Sequence, residues 1–129
     1  MNDLITVGEL SRLTGLSTHA IRFYEAKGVL RPANRAPNGH RRYNQADVQW
    51  LEFVLRLKST GMPLAEIRDY AEQRAAGDIS LVTRMHMLEQ HQDRLTTRIA
   101  ELAACAQLLD EKMRTYRKAI LAQQRKAAK

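Results

Sequence analysis

The chain has 129 residues, a formal net charge of +7 and a sequence pI near 10.0. A chain of that length can form one domain with a modest core and an appendage. The positive charge is compatible with a polyanionic partner but does not show that there is one. No apolar run approaches the roughly 20 residues of a membrane span, and the N-terminus lacks the features of a secretory signal. A single cysteine, Cys105, excludes an internal disulfide framework. We therefore expect a cytoplasmic protein that does not enter a membrane.

The first predicted element is a helix that begins at Val7. Thr6 and Glu9 have the spacing of a capping box, in which the threonine hydroxyl accepts from the third helical amide and the glutamate accepts from the cap amide. Helical spacing then gives the apolar face of this helix: Val7, Leu10 and Leu13.

A second helix is predicted from Thr18 to Lys27. Gly15 provides the sharp turn before it and Ser17 provides an N-cap. Gly28 stands in the place of a C-cap. The two helices together are typical of a helix-turn-helix.

The faces of the second helix follow from its periodicity. If Ile21 marks the buried side, a step of about 100° per residue brings Ala20 and Tyr24 near it. The same step turns four residues outward: His19, Arg22, Phe23 and Ala26. This exposed face carries hydrogen-bond donors and a basic side chain, as a DNA-reading helix requires.

A hairpin is predicted next, because Asn38-Gly39 is the dipeptide best suited to a two-residue turn. Residues 39–43 add two adjacent arginines and an aromatic, and such a wing would grip a phosphate backbone. Residues 12–42 hold seven lysines and arginines against Glu25 alone, a net charge of +6. A lone capped helix pair is common and unspecific, but the basic wing favours DNA binding.

Two further helices are predicted after the wing. Asn44 is a good N-cap for the first, and helical spacing predicts that its core-facing residues are Val48, Leu51, Val54, Leu55 and Lys58. The second runs from about Pro63 to Gln73 and offers to the same core Leu64, Ile67 and Ala71. For Trp50 and Phe53, packing is favoured over ligand contact.

After a predicted hinge at residues 75–78, leucine recurs every seven residues, with a second, mostly apolar position four residues after each. This heptad pattern is typical of a coiled coil, but it leaves open whether the helices run parallel or antiparallel. A helix of about 40 residues spans roughly 60 Å and cannot bury such a stripe alone, so we expect an identical chain as partner. The predicted dimer contacts are Leu81, Met85, Leu88, Leu95, Ile99, Leu102, Leu109 and Met113.

Residues 4 to about 75 resemble the MerR family of bacterial transcription regulators. The blocks that carry the resemblance occur in the family's order and spacing: VGEL at 7–10, TGLS at 14–17, IRFYE at 21–25, GVLRP at 28–32 and NGHRRY at 38–43. Residues 47–57 and 61–67 resemble the family's second helix pair. Pro63 departs from the pattern, since relatives usually have a helix-capping residue there. Residues 80–120 match only as a type, a long dimerising helix.

The resemblance implies a mainly α fold. Residues 1–76 would form a winged helix-turn-helix DNA-binding domain with a second helix pair. Residues 77–120 would form the dimerisation helix of an antiparallel coiled coil, and residues 121–129 a frayed basic tail.

In the family, the matching positions of the second helix and the wing lie against DNA. The resemblance implies base-edge or adjacent contacts from His19 and Arg22, since an arginine can donate two hydrogen bonds to guanine. Phosphate contacts are expected mainly from Ser17, Tyr24, Arg41 and Tyr43; for Tyr24 the alternative is a ring that packs inside while only the hydroxyl reaches out. The wing adds the candidates His40 and Arg42, although for Arg42 a merely solvated charge is equally open.

The resemblance also implies a function. MerR regulators bind promoters with overlong spacers and distort the DNA when an effector binds, so that RNA polymerase engages both promoter elements. We expect a homodimer on double-stranded, pseudo-palindromic promoter DNA, with an effector that the sequence does not identify. The alternative is an effector-independent architectural or recombination accessory DNA-binding protein. An enzyme is not expected, because the sequence has no Gly-rich phosphate loop, metal-binding triplet or nucleophile-base spacing.

Sensor residues known from the family are missing from this chain. Metal sensors carry cysteines at the start of the long helix and after it, and the aldehyde-responsive branch usually has one in the third helix, where this chain has Leu57. Because thiolates make soft-metal binding tight, we expect no metal site, and no cofactor is predicted. At Cys105, beside the seam, a buried inert thiol is favoured over a redox or electrophile sensor. His86 and His91 lie about 140° apart on a helix and are predicted to be solvated.

Overall fold

The computed structural model describes residues 4–35, 39 and 41–128, and for residues 34, 35 and 41 the backbone alone. The helices in this part of the chain are α1 (Val7–Thr14), α2 (Thr18–Ala26), α3 (Gln45–Ser59), α4 (Leu64–Ala75) and α5 (Leu81–Ala127). The strands are β1 (Ile5–Thr6), β2 (Asn34–Arg35) and β3 (Arg41–Tyr43), and a 3-10 turn spans Gly77–Ser80. The mainly helical, winged architecture expected from the sequence is confirmed.

The helix-turn-helix forms as predicted. The Thr6 hydroxyl accepts from the Glu9 amide at 3.1 Å, and the Glu9 carboxylate accepts from the Thr6 amide at 3.2 Å, which completes the capping box. Gly15 ends α1 with a φ of 78°, a left-handed conformation that glycine adopts without strain. Of the predicted apolar face, Leu10 is completely buried and Val7 packs half-buried against the core, whereas the expectation for Leu13 was wrong, since its side chain in the last turn of α1 is 49% exposed.

The wing is part of a three-stranded antiparallel sheet in the order β1-β3-β2. Arg42 in β3 stands opposite Thr6 on one side and opposite Asn34 on the other. Gly39 has a φ of 82°, as the predicted turn requires, while Asn38 lies outside the described residues. Strand β1 was not predicted, because two residues are too few to show an alternating pattern.

Helix α3 starts with a second capping box. The Asn44 side chain accepts from the Asp47 amide at 3.0 Å, and the Asp47 carboxylate accepts from the Asn44 amide at 2.9 Å. The other Asp47 carboxylate oxygen accepts from Arg31 Nε at 3.1 Å, so one buried acid joins the helix start to the segment before the wing. At the other end of α3 the expectation for Lys58 was wrong: Lys58 is exposed and Leu57 is buried. A lysine in the last turn keeps its charge in water.

The core joins residues of α1, α2, α3 and α4 with Tyr43 of β3 and the segment that follows α2. Its most completely buried side chains are Leu10, Ile21, Val29, Leu30, Tyr43, Leu51, Val54 and Ile67. Trp50 is 4% exposed and donates from Nε1 to the Val29 carbonyl at 2.7 Å, while Phe53 packs half-buried against this core. The packing roles predicted for both residues are confirmed.

We expect Asn44→Ala to lower the free energy of unfolding by about 1 kcal/mol, because the variant loses the side-chain acceptor that caps α3. Urea unfolding followed by circular dichroism, at one fixed protein concentration, measures the change. Gln45→Ala alters the exposed neighbouring side chain and serves as the control. Equal effects of the two substitutions would contradict the capping role.

The chain divides into two compact units, residues up to Glu89 and residues from Gln90 onward, and the division lies within α5. In the N-terminal unit, Met87 and Leu88 of α5 pack against the core. The predicted hinge coincides with the end of α4 and with Gly77, whose φ is 80°. No helix in the described ranges combines the length and the apolar character that a bilayer crossing requires.

Two expectations for α5 were wrong. The helix continues to Ala127 instead of fraying from residue 121, since alanine, glutamine, lysine and arginine are strong helix formers. His91 is 7% exposed and therefore not solvated, whereas His86 is exposed as predicted. The heptad repeat of a long helix does not show, from the sequence alone, which turns of that helix are buried.

Candidate nucleic-acid interface

The outward face of α2 is the centre of the candidate interface. Ile21 is completely buried and Tyr24 is 4% exposed, while the four residues predicted to point outward are exposed: His19, Arg22, Phe23 and Ala26. The predicted orientation of the helix is therefore confirmed. Imidazole and guanidinium groups on one exposed helix face can donate hydrogen bonds to base edges.

The start of α2 adds a second element that suits an anion. The exposed Ser17 accepts from the Ala20 amide through its side chain at 3.0 Å, which leaves the hydroxyl proton of Ser17 available for donation. The first amides of a helix have no intrahelical acceptor, and the helix dipole places partial positive charge there. A phosphate oxygen beside Ser17 would satisfy both features.

Phe23 was not singled out as a functional residue from the sequence, although its outward position was predicted. Its ring is 43% exposed, lies 5.8 Å from the Tyr24 ring in an edge-on arrangement, and has the Lys27 ammonium 5.7 Å from its centroid. An exposed apolar ring on a reading helix can contact a thymine methyl group. The signal was an aromatic residue on a face otherwise made of polar and small side chains.

Tyr24 and Tyr43 lie in the core, and this changes the interpretation of both. The Tyr43 side chain is 1% exposed, and its hydroxyl donates to the Glu25 carboxylate. For Tyr43, the buried ring and the hydroxyl bonded to Glu25 argue against the expected phosphate contact, whereas the buried ring of Tyr24 is the alternative that the sequence left open. Tyr43 instead ties strand β3 to the helix α2, so it fixes the wing relative to the reading face.

The remaining wing residues are described in part. Arg42 is half-buried at the centre of the sheet, opposite Thr6 and Asn34. The backbone of Arg41 lies in β3, and its side chain is outside the description, as is His40 entirely. Strand β3 thus contains two arginines that are adjacent in sequence, and its Tyr43 is hydrogen-bonded to Glu25 of α2.

Most of the predicted dimer contacts are exposed in the single chain. In the C-terminal unit these side chains are between 48% and 66% exposed: Ile99, Leu102, Leu109 and Met113. In the N-terminal unit Leu81 and Met85 are also more than half exposed. Leu95 is half-buried, and Leu88 is half-buried against the N-terminal core. An apolar stripe of this kind marks an interaction surface.

The structure places the predicted sensor positions in different surroundings. Cys105 is exposed, so the buried thiol expected there was wrong for the single chain. Leu57, at the place of the third-helix cysteine, is buried and apolar. Within residues 4–35, 39 and 41–128, no three histidine, cysteine or acidic side chains cluster in a way that could hold a metal ion.

Comparison with known proteins agrees with this geometry. The family described as "MerR HTH family regulatory protein" matches residues 5–74, and the family described as "MerR, DNA binding" matches residues 48–112. An HTH-type transcriptional regulator from Haemophilus influenzae is 34% identical over 114 residues, which cover 88% of this chain and 84% of the relative.

Two solved structures extend the similarity to three dimensions. One is HiNmlR, a MerR family regulator lacking the sensor domain, bound to promoter DNA; it has 34% identity and a TM-score of 0.78, and the match covers 90% of this chain and 92% of that one. The other is a regulator assigned to the MerR family from Listeria monocytogenes. It has 25% identity and a TM-score of 0.86, and the match covers 95% of this chain and 92% of that one. The chain belongs to the MerR family of helix-turn-helix regulatory proteins, and is a DNA-binding transcription regulator and not an enzyme.

Proposed function

We propose that this regulator binds a pseudo-palindromic promoter site as a homodimer, with α2 of each copy in the major groove. The observation that carries the proposal is the pairing of two exposed surfaces on one chain. The α2 face offers donors and a cation to DNA, and the α5 stripe offers apolar side chains to a second copy. A two-fold axis between two readers matches a two-fold axis in the operator.

The residues divide into three roles. His19 and Arg22 read base edges, because they occupy the exposed face of α2. Ser17, Arg41, Arg42 and His40 contact the phosphate backbone, which sets the register of α2 in the groove without reading sequence. Tyr43 positions the wing through Glu25 and does not touch DNA.

The dimer forms through α5. Exposed leucine, isoleucine and methionine side chains at heptad spacing gain stability when a second helix covers them. The C-terminal unit alone provides roughly 57 Å of helix between residues 90 and 127, at about 1.5 Å per residue. The antiparallel arrangement follows the family resemblance.

Regulation acts by distorting the promoter. A MerR-type dimer with two conformations, one favoured by an effector, holds the spacer in two geometries, and only one of them suits RNA polymerase. The similarity to a MerR regulator bound to promoter DNA supports the promoter as the target. Footprinting with a probe for distorted base pairs, combined with in vitro transcription from the protein's own promoter, tests this. The architectural alternative would be favoured if the protein bent the bound DNA but transcription did not respond to any inducer.

We expect Arg41→Ala to weaken binding to operator and random DNA by a similar factor and to flatten the salt dependence. Each phosphate contact contributes about 0.9 to the slope of log K against log salt, so losing one contact from each copy of the dimer lowers that slope by roughly 1.8. Fluorescence anisotropy titrations between low and physiological salt measure it. An unchanged slope would remove Arg41 from the phosphate contacts.

A further inference from the structure

One buried hydroxyl group lies at the junction between α4 and α5. Ser80, the last residue of the 3-10 turn, is 4% exposed. Its hydroxyl donates toward two carbonyl groups, that of Gln73 in the last turn of α4 and, at 2.8 Å, that of Gly77. Carbonyls in the last turn of a helix lack the usual amide donor four residues further on. Ser80 supplies a donor there, and so joins the end of α4 to the residue before α5.

Arg84, in the first turn of α5, is bonded to the same hydroxyl. Its Nε atom donates to Ser80 Oγ and its Nη2 atom donates to the Gly77 carbonyl, both at 3.0 Å. A hydroxyl that accepts from one element and donates to another closes a hydrogen-bond network, in which the bonds polarise one another. Helix α4, the 3-10 turn and α5 are therefore connected through one oxygen atom, Ser80 Oγ.

Apolar and aromatic contacts fix the same two helices to the N-terminal core. In α4, the Arg74 guanidinium carbon lies 4.6 Å from the centre of the Trp50 ring. In the second turn of α5, Met87 and Leu88 pack half-buried against the core. Hydrophobic contact is not directional, whereas a hydrogen bond weakens steeply when its angle changes. We therefore expect the packing to hold α5 on the domain and the Ser80 network to fix the direction of α5.

We propose that Ser80 is a positioning residue for DNA recognition: it fixes the direction in which α5 leaves α4, and thereby the half-site spacing that the dimer accepts. This inference rests on the proposed homodimer and names a residue that sets its geometry. Helix α5 continues without a break to Ala127. At about 1.5 Å per residue, the predicted seam residue Ile99 is roughly 30 Å from Ser80 along the helix. A change of about 10° at the junction would shift a point at that distance by about 5 Å, more than the rise of about 3.4 Å per base pair.

Half-site spacing matters because the DNA duplex is helical. Each added base pair moves the second half-site by about 3.4 Å along the duplex and by about 35° around it. Two copies of α2 that are held in fixed directions match one such geometry. Loosely held copies match several geometries, with a lower effective concentration at each. The Ser80 network therefore favours one spacer length over its neighbours.

The test compares a single half-site with full operators taken from the footprinted promoter site. In these operators the spacer is unchanged, shortened by two base pairs or lengthened by two. Ser80→Ala is expected to bind the half-site as the wild type does, because the hydroxyl lies outside the α2 face. It is expected to lose about tenfold of the wild-type preference for the native spacer. Fluorescence anisotropy measures the affinities, and sedimentation velocity shows whether each variant is dimeric.

Two further variants separate positioning from general effects. Thr115→Ala is the matched control, since Thr115 also donates from its hydroxyl to a carbonyl, that of Glu111 at 3.2 Å, but lies in the C-terminal unit. It should keep the wild-type spacer preference. Arg84→Met removes both donors of the half-buried Arg84 and keeps an unbranched apolar side chain, so it tests the network even if Ser80→Ala unfolds. It should reduce the spacer preference in the same direction.

The outcomes distinguish this inference from the proposed function. A wild-type spacer preference in Arg84→Met and in folded Ser80→Ala would overturn the positioning role and leave the proposed function standing. Equal losses on the half-site and on every operator would also overturn it, because the network would then stabilise the domain without setting a direction. If the wild type bound all spacers alike, the symmetric dimer model would fail, and the positioning role with it.

Discussion

Arg22→Ala is expected to weaken binding to the specific operator far more than binding to random DNA. A bidentate arginine–guanine contact contributes about 1 to 3 kcal/mol of discrimination, and a dimer makes it once in each half-site. The operator affinity should therefore fall by between about 30-fold and on the order of 10⁴-fold. Random DNA should lose only a few-fold, because there Arg22 contributes general attraction. Fluorescence anisotropy with both DNAs at one salt concentration gives the two ratios.

The control for this experiment is Arg12→Ala. Arg12 is an exposed arginine on α1, so the substitution removes the same charge from the same unit without altering the α2 face. It should lower both affinities slightly and equally. Losses of equal size on operator and random DNA in Arg22→Ala would show that Arg22 contacts phosphate and reads no base.

The features that the sequence predicted well depend on neighbouring residues. Each capping box joins residues three apart, Thr6 with Glu9 and Asn44 with Asp47, although only the first was recognised beforehand. The outward direction of Arg22 follows from the helical repeat once Ile21 is taken as buried. Residues close together in the chain determine such features, so they can be predicted from a single sequence.

The features that the sequence could not predict depend on residues far apart in the chain. Tyr43 was expected at the DNA because a wing aromatic beside two arginines suggests a surface role. In the structure it is buried, and its hydroxyl donates a hydrogen bond to Glu25, 18 residues earlier in the chain. No local sequence pattern predicts that pair. The packing of Arg74 in α4 over the Trp50 ring in α3 is similar, since the two residues are 24 positions apart in the chain.

Leu102→Asp is expected to convert the dimer into monomers and to lower operator affinity by about 10²- to 10⁴-fold, the factor by which linking two modules raises avidity. Each copy would place a charge inside the apolar seam, where the charge loses its hydration. Sedimentation velocity at several concentrations gives the association state, and anisotropy gives the affinity. The single chain should stay folded, because the Leu102 side chain is 57% exposed in it.

Ala104→Asp is the matched control for this substitution. Ala104 is exposed two residues further along α5, which is about 200° around the helix and so on the far side from the seam. The same charge there should leave both the dimer and the operator affinity unchanged. If Leu102→Asp remained dimeric, the seam would not be the interface. If it became monomeric yet kept full operator affinity, one copy would suffice to read the site, and the symmetric model would fail even with α2 correctly assigned.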